Sequence, residues 1–467
     1  MDYWEVRKRA SKIIPRLTLL VRGEKSEDYV KEKGRKANYS QFDLIQGKWE
    51  SKKRLLNPKE INSFLEISVR AAACPLPFNM DIWDGLVCPF NCIYCYANYF
   101  RASLYTSFFD NSKAIGLRHC NPDFYRREMD KMLYLRELPK EKKESLSGIR
   151  KAFSLEIPVR MGIRFEDFLH VERSKKVSLA MIKYLSEINY PLMINTKSDV
   201  AGEEEYVEAL SSISSGAAVH VTALTSDEGL VRKIEPGAPS YKKRLTAIRN
   251  LTQAGVRVVA RIEPYLIFLV DDPGKVEEYI ETMWEAGVRN ITFDTYSYTA
   301  MSSGIRTSFL NRDIDYDRLC LLGCDSQLLG SLLLGRFMEL FRNRGFSCST
   351  FDMGNVPNND QSVCCEVGDW FSGGFNYGCS VMAARFVKER KGPVSWKDFF
   401  DYVKDRGGFL SPSLEVEVHR QWNLGGNSAY SHGWASGMVP CGWDEFGLIW
   451  RWEDTLDSRK DLLEDLV

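Results

Sequence analysis

Cys88, Cys92 and Cys95 stand close together in the segment DIWDGLVCPFNCIYCYANYF, residues 81–100, with the spacing C-x3-C-x2-C. Three thiolates on one short loop can each ligate one iron of a cubane cluster and leave the fourth iron open. A structural zinc would want a fourth ligand at related spacing, and the sequence offers none close by. Zinc completed from elsewhere, or thiols that bind no metal, are the other readings of the same residues.

Further thiols lie near the C-terminus, in CSTFDMGNVPNNDQSVCCEVGDWFSGGFNYGCS: Cys348, Cys364, Cys365 and Cys379. Four cysteines among so many turn residues could hold a second iron–sulfur cluster or a zinc ion, or pack as ordinary thiols. Cys320 and Cys324, four apart in RLCLLGC, share one helical face and read as core. No two histidines have ligand spacing. Cys120, in GLRHCNPDF, is a thiol outside the triad.

These groups need a frame to hold them. Hydrophobic residues make up 44% of the 467-residue chain and charged residues 27%, as in ordinary globular proteins. The 63 basic side chains equal the 63 acidic ones, which argues against a chain-wide footprint for nucleic acid and leaves only a local basic face. Residues 1–60 supply such a face, with 16 Lys and Arg against 9 Asp and Glu. It reads as solvated or as a contact for a polyanion. No apolar run is long enough to span a membrane. The opening segment fits a signal peptide badly, because Pro15 and Arg16 interrupt its apolar part. Twelve cysteines without a secretory signal point to metal or redox chemistry in the cytoplasm.

From about residue 79, short apolar runs alternate with helical periods. Strands are expected near 81–87, 159–164, 192–196, 218–224, 256–262 and 290–294. Helices are expected over 175–187, 203–212, 241–254 and 276–286. Gly255 and Gly287, in QAGVRVV and EAGVRNI, mark helix ends where a left-handed cap hands over to the next strand. The alternation predicts an α/β fold of parallel βαβ units, a partial (β/α)6 barrel of the TIM type over residues 76–300. An N-terminal extension (1–75) would precede it. A separate C-terminal domain (301–467) would follow, rich in cysteine and tryptophan, with seven of the eleven tryptophans. Those tryptophans could stack a base but more often build a core. Functional side chains should sit at the C-terminal ends of the strands.

The aromatic Tyr94 just before Cys95 makes the triad resemble the signature of the radical S-adenosylmethionine superfamily. In order and spacing, CYAN, IRFEDFLHVERS, INTKSD, VHVTALT, IEPGAPSYKKRLTAIRNLTQAGVRV and IEPYLIF resemble its spore photoproduct lyase-related branch, across roughly residues 80–300. The resemblance implies a [4Fe–4S] cluster on Cys88, Cys92 and Cys95. S-adenosylmethionine would bind at the open iron and yield a 5′-deoxyadenosyl radical that takes hydrogen from a substrate, cutting or rearranging a C–H or C–C bond. It implies cofactor contacts at Tyr94, near the adenine, and at Lys197 and Thr222, which end the third and fourth strands. Arg244, paired with Glu235 or touching the cofactor, and Arg261, beside Glu263 on the fifth strand, are further candidates. Cys120 is the candidate hydrogen donor, although its surroundings do not match those of the lyase's donor cysteine. A one-electron reductant such as flavodoxin or ferredoxin is implied. The substrate could be a small molecule, a nucleobase, a nucleic acid or a peptide. The rival class is a non-catalytic iron–sulfur or zinc protein that binds nucleic acid.

Overall fold

The computed structural model describes residues 3–5, 7–8, 58–63, 65–69, 78–85, 88–95, 116–266, 269–295, 312, 314, 327–350, 365–368, 370–371, 380–406, 408–423 and 438–453. Its centre is a sheet of parallel strands in sequential order: Phe78–Asp81, Val159–Met161, Leu192–Thr196, Ala217–Thr222, Arg257–Tyr265, Asn290–Thr295 and Ser347–Thr350. We number these barrel strands one to seven. Glu66–Val69 adds an antiparallel edge beside strand one.

The alternation expected from the sequence is present. Helices Val177–Glu187, Glu204–Ser211, Tyr241–Gln253 and Pro273–Glu285 follow strands two to five. Ser240 caps the third of these helices, accepting from Lys243 N, and Asp272 caps the fourth, accepting from Lys275 N. Gly255 and Gly287 take φ of 78° and 89°, the left-handed turn that lets each chain reverse into the next strand.

Three expectations need correction. The barrel has seven parallel strands among the described residues, not six, because helix Gln327–Arg344 leads into strand seven, which pairs with strand six. The boundary near residue 300 therefore cuts through the barrel. The N-terminal residues are not merely an extension. Tyr3 is buried and its hydroxyl meets Tyr265 (2.7 Å) and the Asp271 carboxylate, while Arg7 Nε lies 2.8 Å from the same carboxylate. Asp271 is wholly buried, and a buried carboxylate needs such partners. Finally, strand one ends at Asp81, earlier than the expected 81–87.

Residues 365–368, 370 and 371 close the N-terminal end of the barrel from inside. Cys365, Val367 and Phe371 pack on Met193, Ala218 and Val259 from strands three, four and five. Arg257 donates to the Glu366 carbonyl (2.9 Å), Asn290 and Ser347 donate to the Glu366 carboxylate (3.0 and 2.5 Å), and Trp370 Nε1 donates to Ala217 O (3.0 Å). Beyond this plug, helices Ser380–Arg390, Trp396–Lys404 and Pro412–Asn423 pack with a hairpin of Met438–Asp444 and Gly447–Trp452. Trp396, Trp422 and Trp450 are core there, with Trp422 stacked on Phe399 at 5.8 Å, while Trp443 is exposed. Trp434 lies outside the described residues.

Candidate active site at the barrel mouth

The cysteine loop follows strand one at the C-terminal end of the sheet. Two tight turns shape it: Asn91 N donates to Cys88 O (3.0 Å) with Asn91 left-handed at φ 46°, and Cys95 N donates to Cys92 O (3.1 Å). The loop is clamped to residues 234–237. Ile93 N donates to Ile234 O and Gly237 N to Phe90 O, both at 3.0 Å. A Cβ on Gly237 would stand 2.1 Å from Pro89 O, so glycine permits this approach.

Cys92 is buried, and Cys88 and Cys95 are half-buried. Burial, then the Glu235 charge, pushes the Cys92 thiol well up; the Lys197 ammonium opposes this, and Cys95 and Cys88 act on it in turn. Cys95 and Cys88 thus both lie within electrostatic reach of Cys92. Among the described residues no three Cys, His, Asp or Glu side chains gather closely enough for one shared ion. A cubane asks for a different arrangement, with one iron for each thiolate. A turn-bound loop presenting three soft donors, two of them partly open, fits that donor set.

Beneath the loop lies a buried charge network centred on Glu235, which is 1% exposed. Tyr94 donates its hydroxyl to Glu235, Arg244 Nη2 lies 2.6 Å from the carboxylate, and Lys197 Nζ lies 3.8 Å away. The Lys197 ammonium also sits 5.5 Å from the centre of the Tyr94 ring. Burial alone would raise the Glu235 pKa, but Arg244, Lys197 and Tyr94 outweigh it and hold it below the usual value. Arg244 is fully buried; its Nε donates to Pro239 O (3.0 Å) and its Nη1 to Thr222 O (2.8 Å). Of the two roles expected for Arg244, the brace is the one seen. Its guanidinium is engaged on three sides and has no exposed face for a cofactor.

Lys197 and Thr222 both lie at strand ends, as expected, with Lys197 partly open and Thr222 buried. Glu166, which the sequence reading left without a role, sets the Lys197 backbone. It accepts from Lys197 N (2.9 Å), Thr196 Oγ1 (2.6 Å) and Phe168 N (3.0 Å). Its neighbour Asp167 accepts from Ile82, Trp83 and Gly162 N, each at 2.9 Å, tying strand one to strand two. The signal for both was the pair of adjacent carboxylates flanked by two phenylalanines in IRFEDF. Arg261 pairs with Glu263, and Glu263 is held below its ordinary pKa: burial works against this, but Arg261, Thr292 and Lys197 prevail.

Cys120 ends a strand of a separate small sheet, Lys59–Ile61, Arg118–Cys120 and Trp83–Asp84. It is wholly buried, and burial followed by the Asp167 charge keeps its thiol protonated. The four-cysteine C-terminal site also needs correction. Along strand seven Ser347 faces inward to Glu366, so Cys348, one residue on, faces outward into the helix-covered core. Cys365 packs inside the barrel. A sheet separates the two thiols, and they cannot share one ion. Cys364 and Cys379 lie outside the described residues, as do Cys320 and Cys324.

No family profile matches the sequence, and no curated protein matches it. Solved structures resemble the fold distantly. Spore photoproduct lyase with dinucleoside spore photoproduct superposes with a TM-score of 0.42 at 14% identity, over 62% of this chain and 79% of the other. A mutant of that lyase with bound AdoMet and the dinucleoside gives 0.42 at 14%, over 62% and 80%. Streptococcus suis SuiB bound to S-adenosylmethionine gives 0.35 at 13%, over 60% and 50%. Among the described residues no helix is long and apolar enough to cross a membrane.

Proposed function

We propose that this chain is a radical S-adenosylmethionine enzyme whose cluster rests on Cys88, Cys92 and Cys95. The observation that supports the reading most is the placement of three thiols on one short turn-bound loop, with no fourth cysteine in it, at the mouth of an open parallel β/α barrel. When bound, the cluster and S-adenosylmethionine would supply one-electron cleavage of the C5′–S bond and a carbon radical able to take hydrogen from an unactivated position.

The chain's own residues then have distinct tasks. The clamp between the loop and residues 234–237 fixes the thiolates. Lys197, with its ammonium held between Glu235 and the Tyr94 ring, would meet a carboxylate by a charge-assisted hydrogen bond. Glu166 fixes the backbone from which Lys197 projects. Tyr94, Glu235 and Arg244 form the buried floor under the loop and keep water from that side. The substrate would enter the barrel interior below the cofactor, where hydrogen is lost to the radical and a C–H or C–C bond is cut or rearranged. The reductant would be a small one-electron carrier.

The test is anaerobic reconstitution followed by dithionite and S-adenosylmethionine. About four irons and four sulfides per chain, with 5′-deoxyadenosine formed, are expected. Cys92→Ala should lose both. A wild-type chain that binds no iron–sulfur cubane, or whose cubane has four protein ligands, overturns the reading.

A further inference from the structure

The inner face of this barrel is unusually polar. Closed β/α barrels are commonly filled by branched apolar side chains, but here the inward positions of strands three to five include Asn195, His220, Arg257 and Arg261. Strand register places Asn195 beside His220, His220 beside Val259, and Thr222 beside Arg261. Met193 and Ala218 pack on the plug. Asn195 and His220 are therefore the next inward side chains toward the mouth on their strands.

Both are buried, His220 to 2% exposure and Asn195 to 8%. The imidazole bonds the Cys365 backbone, yet its Nε2 has no hydrogen-bond partner among the described residues, and neither has Asn195 Oδ1. Buried polar atoms are nearly always satisfied, so two open ones on adjacent strands, an imidazole nitrogen that can gain a proton and a carboxamide that can turn its NH2 inward, call for a ligand. Burial first, then the Arg261, Arg160 and Arg257 guanidiniums, holds the imidazole neutral. Arg160 also bonds Asn79 Oδ1 (2.9 and 3.0 Å), Arg257 the Glu366 carbonyl (2.9 Å), and Arg261 pairs with Glu263. The Glu366 carboxylate is held by Asn290 and Ser347. The strongest charges acting on His220 are thus positive.

We propose that the substrate carries an oxyanion, a carboxylate or a phosphate, and that this group docks inside the barrel against His220 Nε2 within the field of Arg160 and Arg261. This rests on the reading that the mouth above holds the cofactor. As the anion enters, His220 takes one proton from solvent at Nε2 and donates that hydrogen to an anion oxygen. No covalent bond to carbon changes in this step.

Titration calorimetry on the anaerobically reconstituted full chain tests it. The probes are inorganic sulfate, a tetrahedral anion that does not titrate near neutrality, and acetate, a planar carboxylate. Each is run in two buffers of different ionisation heat. Saturable binding with uptake approaching one proton per anion is expected for one of them. Sulfate alone would assign a phosphate-like group, and acetate alone a carboxylate. His220→Gln should weaken binding about tenfold or more and abolish the uptake. No saturable binding of either probe overturns the proposal, and so does binding without proton uptake that His220→Gln leaves unchanged. Should that variant fail to fold, the wild-type buffer comparison decides alone. Formation of 5′-deoxyadenosine is measured separately, so a chain that makes it but binds no anion refutes only the anion site. A chain that binds the anion and makes none refutes only the enzyme class.

Discussion

At the mouth of the barrel Glu235 answers two cations and a phenol, whereas deeper in the barrel His220 is kept neutral among three guanidiniums with one nitrogen open. Both regions are buried and both are polar, yet they solve the problem of a buried charge in opposite ways. The mouth pairs its charges with one another: Glu235 Oε2 and Arg244 Nη2 make no hydrogen bond of regular geometry but are held as an ion pair at 2.6 Å. The interior leaves polar atoms unmet, as a place for a variable group can. A buried polar cluster is therefore not one kind of object. Whether its valences are filled separates scaffold from receptor.

The largest effect should come from breaking the closed network. Glu235→Ala leaves the Arg244 guanidinium buried without its counter-charge, and about 3–5 kcal/mol of stability should be lost, read by chemical denaturation. The sign with pH follows from the same pair. The folded-state pKa of Glu235 lies below its ordinary 4.5, so its contribution is present above that value and disappears as pH falls through the folded value. The wild-type chain should lose this part of its stability in acid, and Glu235→Ala should lack that slope. Equal slopes in both would mean the network carries no such charge.

Gly237→Ala acts on the same support through sterics. Its methyl would overlap Pro89 O, and a cost of about 1–3 kcal/mol is expected. Iron retained after desalting should fall with it, because the cysteine loop must move. Full retention would show that the clamp does not set the loop. The smallest change belongs to the plug. Trp370→Phe removes one bond, to Ala217 O, from a partly exposed side chain. A loss of about 1 kcal/mol should follow, with no change in iron content.

The loop position of Cys88, Cys92 and Cys95 after strand one, the order of strands two to six and the helix ends at Gly255 and Gly287 were legible because each is a local pattern. Strand seven was not. SCST is short and carries no apolar run, and it lies beyond a region whose cysteines and tryptophans drew the eye to composition instead of period. The plug was hidden for a different reason. Nothing in CCEVGDWF announces that Glu366 will meet Asn290 and Ser347, since those contacts depend on the closed three-dimensional path. Arg244 was seen as either brace or ligand, and burial decided between them. His220 could have been noticed. In AAVHVT it is the polar member of a period-two strand, which marks an inward side chain in a barrel built this way.

Because residues 365–368, 370 and 371 close the barrel from below, a chain growing from its N-terminus completes all seven strands before it makes their stopper. Until that stretch arrives, solvent can reach the arginines and the imidazole from both ends. The last third of the polypeptide thus turns a tunnel into a cup.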